Sequence, residues 1–156
     1  MRIYLAQHGL AEDELIDSSR PLSAQGREDV TRVAGFLSLF EKPRPTRVLH
    51  SGKLRAEQTA AMFAEGWGNL AVERALDLDP NADPSVWSAH LTSMNSDVML
   101  VGHLPHLQRL AAILLTGDVE REPIRFRNGG VVCLERGENG WSVCWHINPT
   151  LFYGEN

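Results

Sequence analysis

The sequence predicts an α/β domain of three layers, α/β/α, with a largely parallel central sheet. Two observations predict it. Short apolar runs alternate with stretches whose apolar residues recur at helical spacing, the order of βαβ units. One run, Val98-Met99-Leu100-Val101, is apolar without interruption, as in a strand buried on both faces. At 156 residues the chain has the length of one domain, expected to cover 1–156.

The elements follow in order. Ile3 to Ala6 is a strand ending at Gln7-His8-Gly9. A polar, acidic loop runs from Glu12 to Arg20, and Glu12-Asp13-Glu14 in it reads as a solvated face. Pro21 to Phe40 is expected to be helical, because Val30, Val33, Ala34 and Leu37 share one face, with Pro43 and Pro45 ending it. Arg47 to His50 is a second strand with its turn at Ser51-Gly52, and Lys53 to Glu65 a second helix. Pro84 starts a third helix carrying Trp87, Leu91 and Met94 on one face. The Val98 run ends at Gly102-His103, and Leu107, Leu110, Ala111 and Leu114 mark a fourth helix. Val131 to Glu135 and Trp141 to His146 read as a closing hairpin, turned by Gly137 to Gly140.

Composition narrows the function. Hydrophobic residues are 43% and charged residues 22%, ordinary for a globular protein. A chain of this size buries about two-thirds of its unfolded surface, so its core needs no metal or disulfide. Two cysteines, Cys133 and Cys144, lack zinc spacing and read as buried strand thiols, with a cross-strand bridge left open. The net charge of −5 argues against a nucleic-acid partner. Met1 to Ala6 is too short an apolar run for a secretory leader, and Leu110 to Leu115 too short to span a bilayer. No membrane partner and a cytoplasmic location are the expectation.

In open α/β sheets ligands bind beyond the carboxyl ends of the strands. Three strands end there in Gln7-His8-Gly9, Ser51-Gly52-Lys53-Leu54-Arg55 and Gly102-His103. Two histidines and an arginine thus meet on one rim, each from a distant stretch of chain. A neutral imidazole is a good nucleophile toward phosphorus, and a covalent step divides one hard displacement into two. Arg55 at a helix start offers a planar fork and the helix terminus adds backbone N–H groups, both suited to a phosphoryl dianion. A second histidine, if protonated, would stabilise the transferring charge. Such a pocket needs neither metal nor cofactor. His103-Leu104-Pro105-His106 has a His-x-x-His spacing, but Pro105 at a helix start argues against a metal pair. His50, His90 and His146 read as structural or surface residues.

These residues resemble the histidine phosphatase superfamily. The resemblance rests on the strand–His-Gly near the N-terminus, on Ser51-Gly52-Lys53-Leu54-Arg55-Ala56-Glu57-Gln58-Thr59, and on Gly102-His103. Arg20-Pro21-Leu22-Ser23, Gly26-Arg27 and His103-Leu104-Pro105 resemble its SixA-type phosphohistidine phosphatases, and the likeness spans Met1 to about Trp145. It implies a phosphoglycerate mutase-like fold, His8 as the nucleophile, and Arg55 and His103 as phosphate contacts. The family has arginine before the nucleophile where this chain has Gln7, which keeps amide donors but loses charge and fork. Arg20, Arg27, Arg125 and Arg127 are the candidate replacements. Asp17 and Asp77 are the candidate general acids.

The expected function is a metal-independent phosphatase acting on phosphohistidine in a protein, through a phospho-His8 intermediate. The alternatives are a phosphomonoesterase for a small phosphorylated substrate, and a phospho-ligand binding protein weakened in catalysis by Gln7. Leu151-Phe152-Tyr153 is expected to pack on the domain or on a second chain.

Overall fold

The computed structural model describes residues 1–42 and 44–154. Its elements are β1 (Arg2–Gln7), α1 (Ala24–Phe40), β2 (Arg47–His50), α2 (Leu54–Gly66), β3 (Ala71–Arg74), α3 (Pro84–Ser93), β4 (Val98–Gly102), α4 (His106–Thr116), β5 (Val131–Gly137) and β6 (Gly140–Ile147), then a 3₁₀ turn, Pro149–Phe152. The sheet order is β3-β2-β4-β1-β5-β6. β3, β2, β4 and β1 run parallel, while β5 is antiparallel to both β1 and β6. This is the expected α/β architecture with a mostly parallel sheet.

Alternation along the central strands splits the core in two. Tyr4 and Ala6 of β1, with Met99 and Val101 of β4, pack with Val30, Val33 and Leu37 of α1 and Ala60 and Phe63 of α2. Ile3 and Leu5, with Val98 and Leu100, pack on the opposite face with Trp87 and Leu91 of α3 and Leu107 and Leu110 of α4. All five residues of β4 are buried, as its unbroken apolar run predicts. Beneath α1, the half-buried Glu41 gathers Arg2 Nη1 at 2.7 Å, Tyr4 Oη at 3.0 Å and Trp145 Nε1 at 3.0 Å. One carboxylate thus satisfies three donors from both ends of the chain.

Several boundaries move. α1 begins at Ala24 rather than Pro21, because Leu22 is held in a bridge to Ala11 and Ser23 caps the helix, its side chain accepting from Gly26 N. It ends at Phe40, with Glu41 extended as the C-cap; of the two prolines expected to stop it, Pro43 lies outside the described residues. α2 begins at Leu54, with Lys53 as its N-cap. β3 carries no sequence signal, since all four residues are exposed on the sheet edge.

The cysteines need a correction. β5 and β6 are out of step at Cys133/Leu134, so Cys133 faces Trp145 and not Cys144. Both thiols are free, and only Cys133 is buried. The chain's end packs on its own domain. Phe152 lies 5.8 Å from the Phe36 ring, and Tyr153 Oη donates to Asp29 at 2.6 Å, while Leu151 stays exposed. No helix among the described residues is long and apolar enough to cross a membrane.

Candidate active site

The ends of β1, β4 and β2 are adjacent, with Gln7 paired to Gly102 and His50 to Val101. The next residue of each chain segment is therefore His8, His103 or Ser51. Parallel pairing, not sequence proximity, brings them together, and α2 adds Arg55 from its first turn.

His8 is fixed on both sides of its backbone. Its N–H donates to Gly102 O at 3.1 Å, and its carbonyl accepts from Asn128 Nδ2 at 3.0 Å and Gly129 N at 3.2 Å. The ring is oriented as tightly. Nδ1 lies 2.7 Å from Gly9 O, a carbonyl that can only accept, so Nδ1 carries the proton. Nε2 then holds the lone pair and accepts from Arg55 Nε at 3.3 Å. Burial lowers the pKa of His8 to about 4, with Arg55 and Arg20 acting in the same sense and the Gly9 hydrogen bond opposing them. The imidazole is neutral at physiological pH and presents its nucleophilic nitrogen to a guanidinium.

The motif around Arg55 acts as a set of latches. Thr59 Oγ1 donates to Arg55 O at 2.7 Å and accepts Gly9 N at 3.0 Å, tying the helix to the residue after His8. Gln58 Oε1 accepts Leu22 N at 2.8 Å and so closes the far end of the loop. Gly26 completes the joint. A Cβ there would lie 2.0 Å from Leu10 O, so only glycine lets α1 approach the loop.

His103 is almost fully buried, with its ring centroid 4.9 Å from that of His8. Its Nε2 meets Ser51 Oγ at 2.6 Å, while Nδ1 is buried without a partner. Burial lowers its pKa to about 3, helped by His8, Arg55, Lys53 and His106. The condition set for the second histidine, that it be protonated, is not met here: burial and four positively charged or ionisable neighbours all oppose the charging of His103.

Of the remaining candidates, Gln7 sits at the rim through its strand end, and its buried Oε1 has no partner. A 180° turn of that amide would place its donors there instead. Arg20 is the one replacement arginine close enough to act on both His8 and Arg55 electrostatically. It has a left-handed backbone, φ 48°, and its Nε donates to Glu12 O at 3.1 Å. Arg27, on α1, and Arg125 and Arg127 are exposed, and none of them acts on His8 or Arg55 as Arg20 does. Asp17 spends its carboxylate on Ser19 N at 2.9 Å and Ser19 Oγ at 2.6 Å. Asp77 is exposed, and no described hydrogen bond joins either acid to the histidines. His106 is buried against Pro80, to which its N–H donates at 3.1 Å. Among the described residues no three His, Cys, Asp or Glu side chains group as metal ligands. Sequence reasoning passed over Ser51 and Asn128. The first was legible as the opening residue of the Arg55 motif; the second had no signal, being 120 residues from the backbone it holds.

No family model and no curated protein matches the sequence. Solved structures do match the fold. The protein histidine phosphatase SixA, complexed with tungstate, gives a TM-score of 0.83 at 28% identity over 97% of this chain and 99% of that one. A SixA-type protein of Agrobacterium tumefaciens gives 0.77 at 24% identity over 95% and 97%. The α-ribazole phosphatase of Shigella flexneri gives 0.74 at 16% identity over 92% and 94%. With two strand-end histidines and an arginine converging on a sheet of this order, the chain has the architecture of the protein histidine phosphatase SixA, and its site residues fall where the resemblance to the histidine phosphatase superfamily places them.

Proposed function

We propose that the chain is a phosphohistidine phosphatase of one domain that works through a phospho-His8 intermediate and without a metal. The observation that carries the reading is the hydrogen bonding of His8, with Nδ1–H held by Gly9 O and the Nε2 lone pair facing Arg55. Nε2 attacks phosphorus and forms an N–P bond as the substrate's P–N bond breaks. The substrate's ring carries its proton on the nitrogen that is not bonded to phosphorus, so the departing nitrogen takes the P–N electron pair and a neutral imidazole leaves, which lowers the need for a strong general acid. Water then displaces His8 from phosphorus: an O–P bond forms as the N–P bond breaks, the water's protons leave with inorganic phosphate as dihydrogen phosphate, and the lone pair returns to Nε2.

Arg55 and Arg20 neutralise the phosphoryl oxygens, and His103 and Gln7 supply further donors. These cations do the work a divalent ion would otherwise do. A protein substrate is favoured by the loop next to the site. Its base carries Arg20, and its tip exposes Leu15 and Ile16 at 97% and 75%. Tungstate in the SixA complex is an oxyanion shaped like phosphate, in keeping with a phosphoryl pocket. The resemblance to α-ribazole phosphatase keeps a small phosphomonoester as the second reading.

Phosphohistidine peptides and small phosphomonoesters, offered side by side to wild type and His8→Ala with EDTA present, test this. The expected result is faster release of phosphate from the peptides and none from the variant. A folded His8→Ala protein with full activity would refute the nucleophile, and activity lost in EDTA and restored by one divalent ion would refute metal independence.

A further inference from the structure

We propose that Ser51 is a positioning residue: it holds His103 in the tautomer that carries its proton on Nδ1, and so makes that histidine a neutral donor to the phosphoryl group. This rests on the reading of His8 as the phosphoryl acceptor. Ser51 Oγ and His103 Nε2 are 2.6 Å apart and both residues are buried. A hydroxyl has one proton to give and two lone pairs. One lone pair already takes Lys53 N at 3.3 Å. The hydroxyl proton has no other acceptor among the described hydrogen bonds, so it goes to Nε2. With Nε2 accepting, the ring proton stands on Nδ1.

That nitrogen is buried and has no protein partner. A buried donor left unmade costs about 1–3 kcal/mol, so an acceptor brought beside this nitrogen is stabilised by it. The ring lies beside His8, with centroids 4.9 Å apart, and a phosphoryl group on His8 Nε2 brings oxygen acceptors to this spot. The opposite tautomer would point a bare lone pair at a phosphoryl dianion. Ser51 thus decides whether His103 attracts or repels the transferring group, although it touches no reacting atom itself.

Long-range ¹H–¹⁵N NMR of the histidine rings reads the tautomer without any turnover. The expected result at pH 7 is His103 protonated at Nδ1 in wild type and in Ser51→Thr, and a shift toward Nε2 protonation in Ser51→Ala. Inorganic phosphate should bind Ser51→Ala about tenfold more weakly, the scale of one hydrogen bond to a charged group, with Ser51→Thr recovering most of the loss. On p-nitrophenyl phosphate kcat should fall more than KM changes. His103 protonated at Nε2 in wild type, or a Ser51→Ala protein with unchanged tautomer and phosphate affinity, would overturn the assignment. A wild-type protein inert toward every phosphorylated substrate would instead defeat the function proposed above, and the tautomer would still decide the role of Ser51.

Discussion

His8 is poised because its two ring nitrogens are held by groups of opposite kind, a carbonyl and a guanidinium. Gln7, one residue earlier, is where this pocket departs from the pattern of the superfamily it resembles. An amide gives a neutral hydrogen bond worth about 1 kcal/mol, whereas a guanidinium gives roughly 1.5–3. Gln7→Arg should therefore raise kcat/KM on p-nitrophenyl phosphate by about fivefold, the equivalent of about 1 kcal/mol of transition-state binding. Steady-state kinetics with phosphate inhibition would check it. If activity and phosphate affinity both fell, Arg20 would already occupy that place, and Gln7 would be fitted to the pocket rather than weakened.

Helix α2 owes its place to Thr59 as much as to its apolar face. Thr59 Oγ1 satisfies Gly9 N and ties it to the Arg55 carbonyl, so the residue after His8 and the residue that carries the Arg55 guanidinium are set by one hydroxyl. Thr59→Val keeps the volume but strands the buried Gly9 N–H. Denaturant unfolding should show a loss of about 1–3 kcal/mol, and turnover should fall further than stability alone accounts for. A variant of unchanged stability and rate would mean that sheet and helix position His8 without the latch. Elements of this kind were legible in different degrees. β2 was read to its residue, Arg47 to His50, and β4 to within one, because four apolar residues in a row and a following glycine leave little choice. The start of α1 was not, because Pro21 and Leu22 have helical neighbours in sequence but a bridge to Ala11 in space. β3 was missed because an exposed edge strand has no buried face to pattern.

Across the whole molecule, several histidines are held neutral by burial. The folded pKa of His8, about 4, and of His103, about 3, lie below the ordinary value near 6.5, and His106 and His50 are lowered too. Between those values the unfolded chain binds protons that the folded chain refuses. Stability must then rise with pH through this window and be lost as pH falls below about 6.5, by up to about 1.4 kcal/mol per pH unit for each such histidine. Thermal unfolding from pH 7 to pH 4.5 should show a steep drop, shallower in His103→Gln. A flat profile would mean that these rings charge in the folded state.

The site itself was legible as residue types at three strand ends, so His8, Arg55 and His103 could be chosen before their distances were known. What the sequence withheld was the charge state of His103, which depends on burial and on neighbours brought in by β2 and α2. It also withheld Arg20's nearness to both His8 and Arg55, which the closed loop between Glu12 and Pro21 provides. Both are properties of the assembled rim rather than of any segment.

The central claim is that His8 Nε2 takes the phosphoryl group. Rapid quenching of the enzyme with p-nitrophenyl phosphate in EDTA, followed by peptide mapping under alkaline conditions, tests it most directly. The expected result is one acid-labile, alkali-stable phosphoryl group on His8, formed and lost at rates compatible with turnover and absent from His8→Ala. Turnover with no phosphoenzyme, or with the phosphoryl group on another residue, would contradict it.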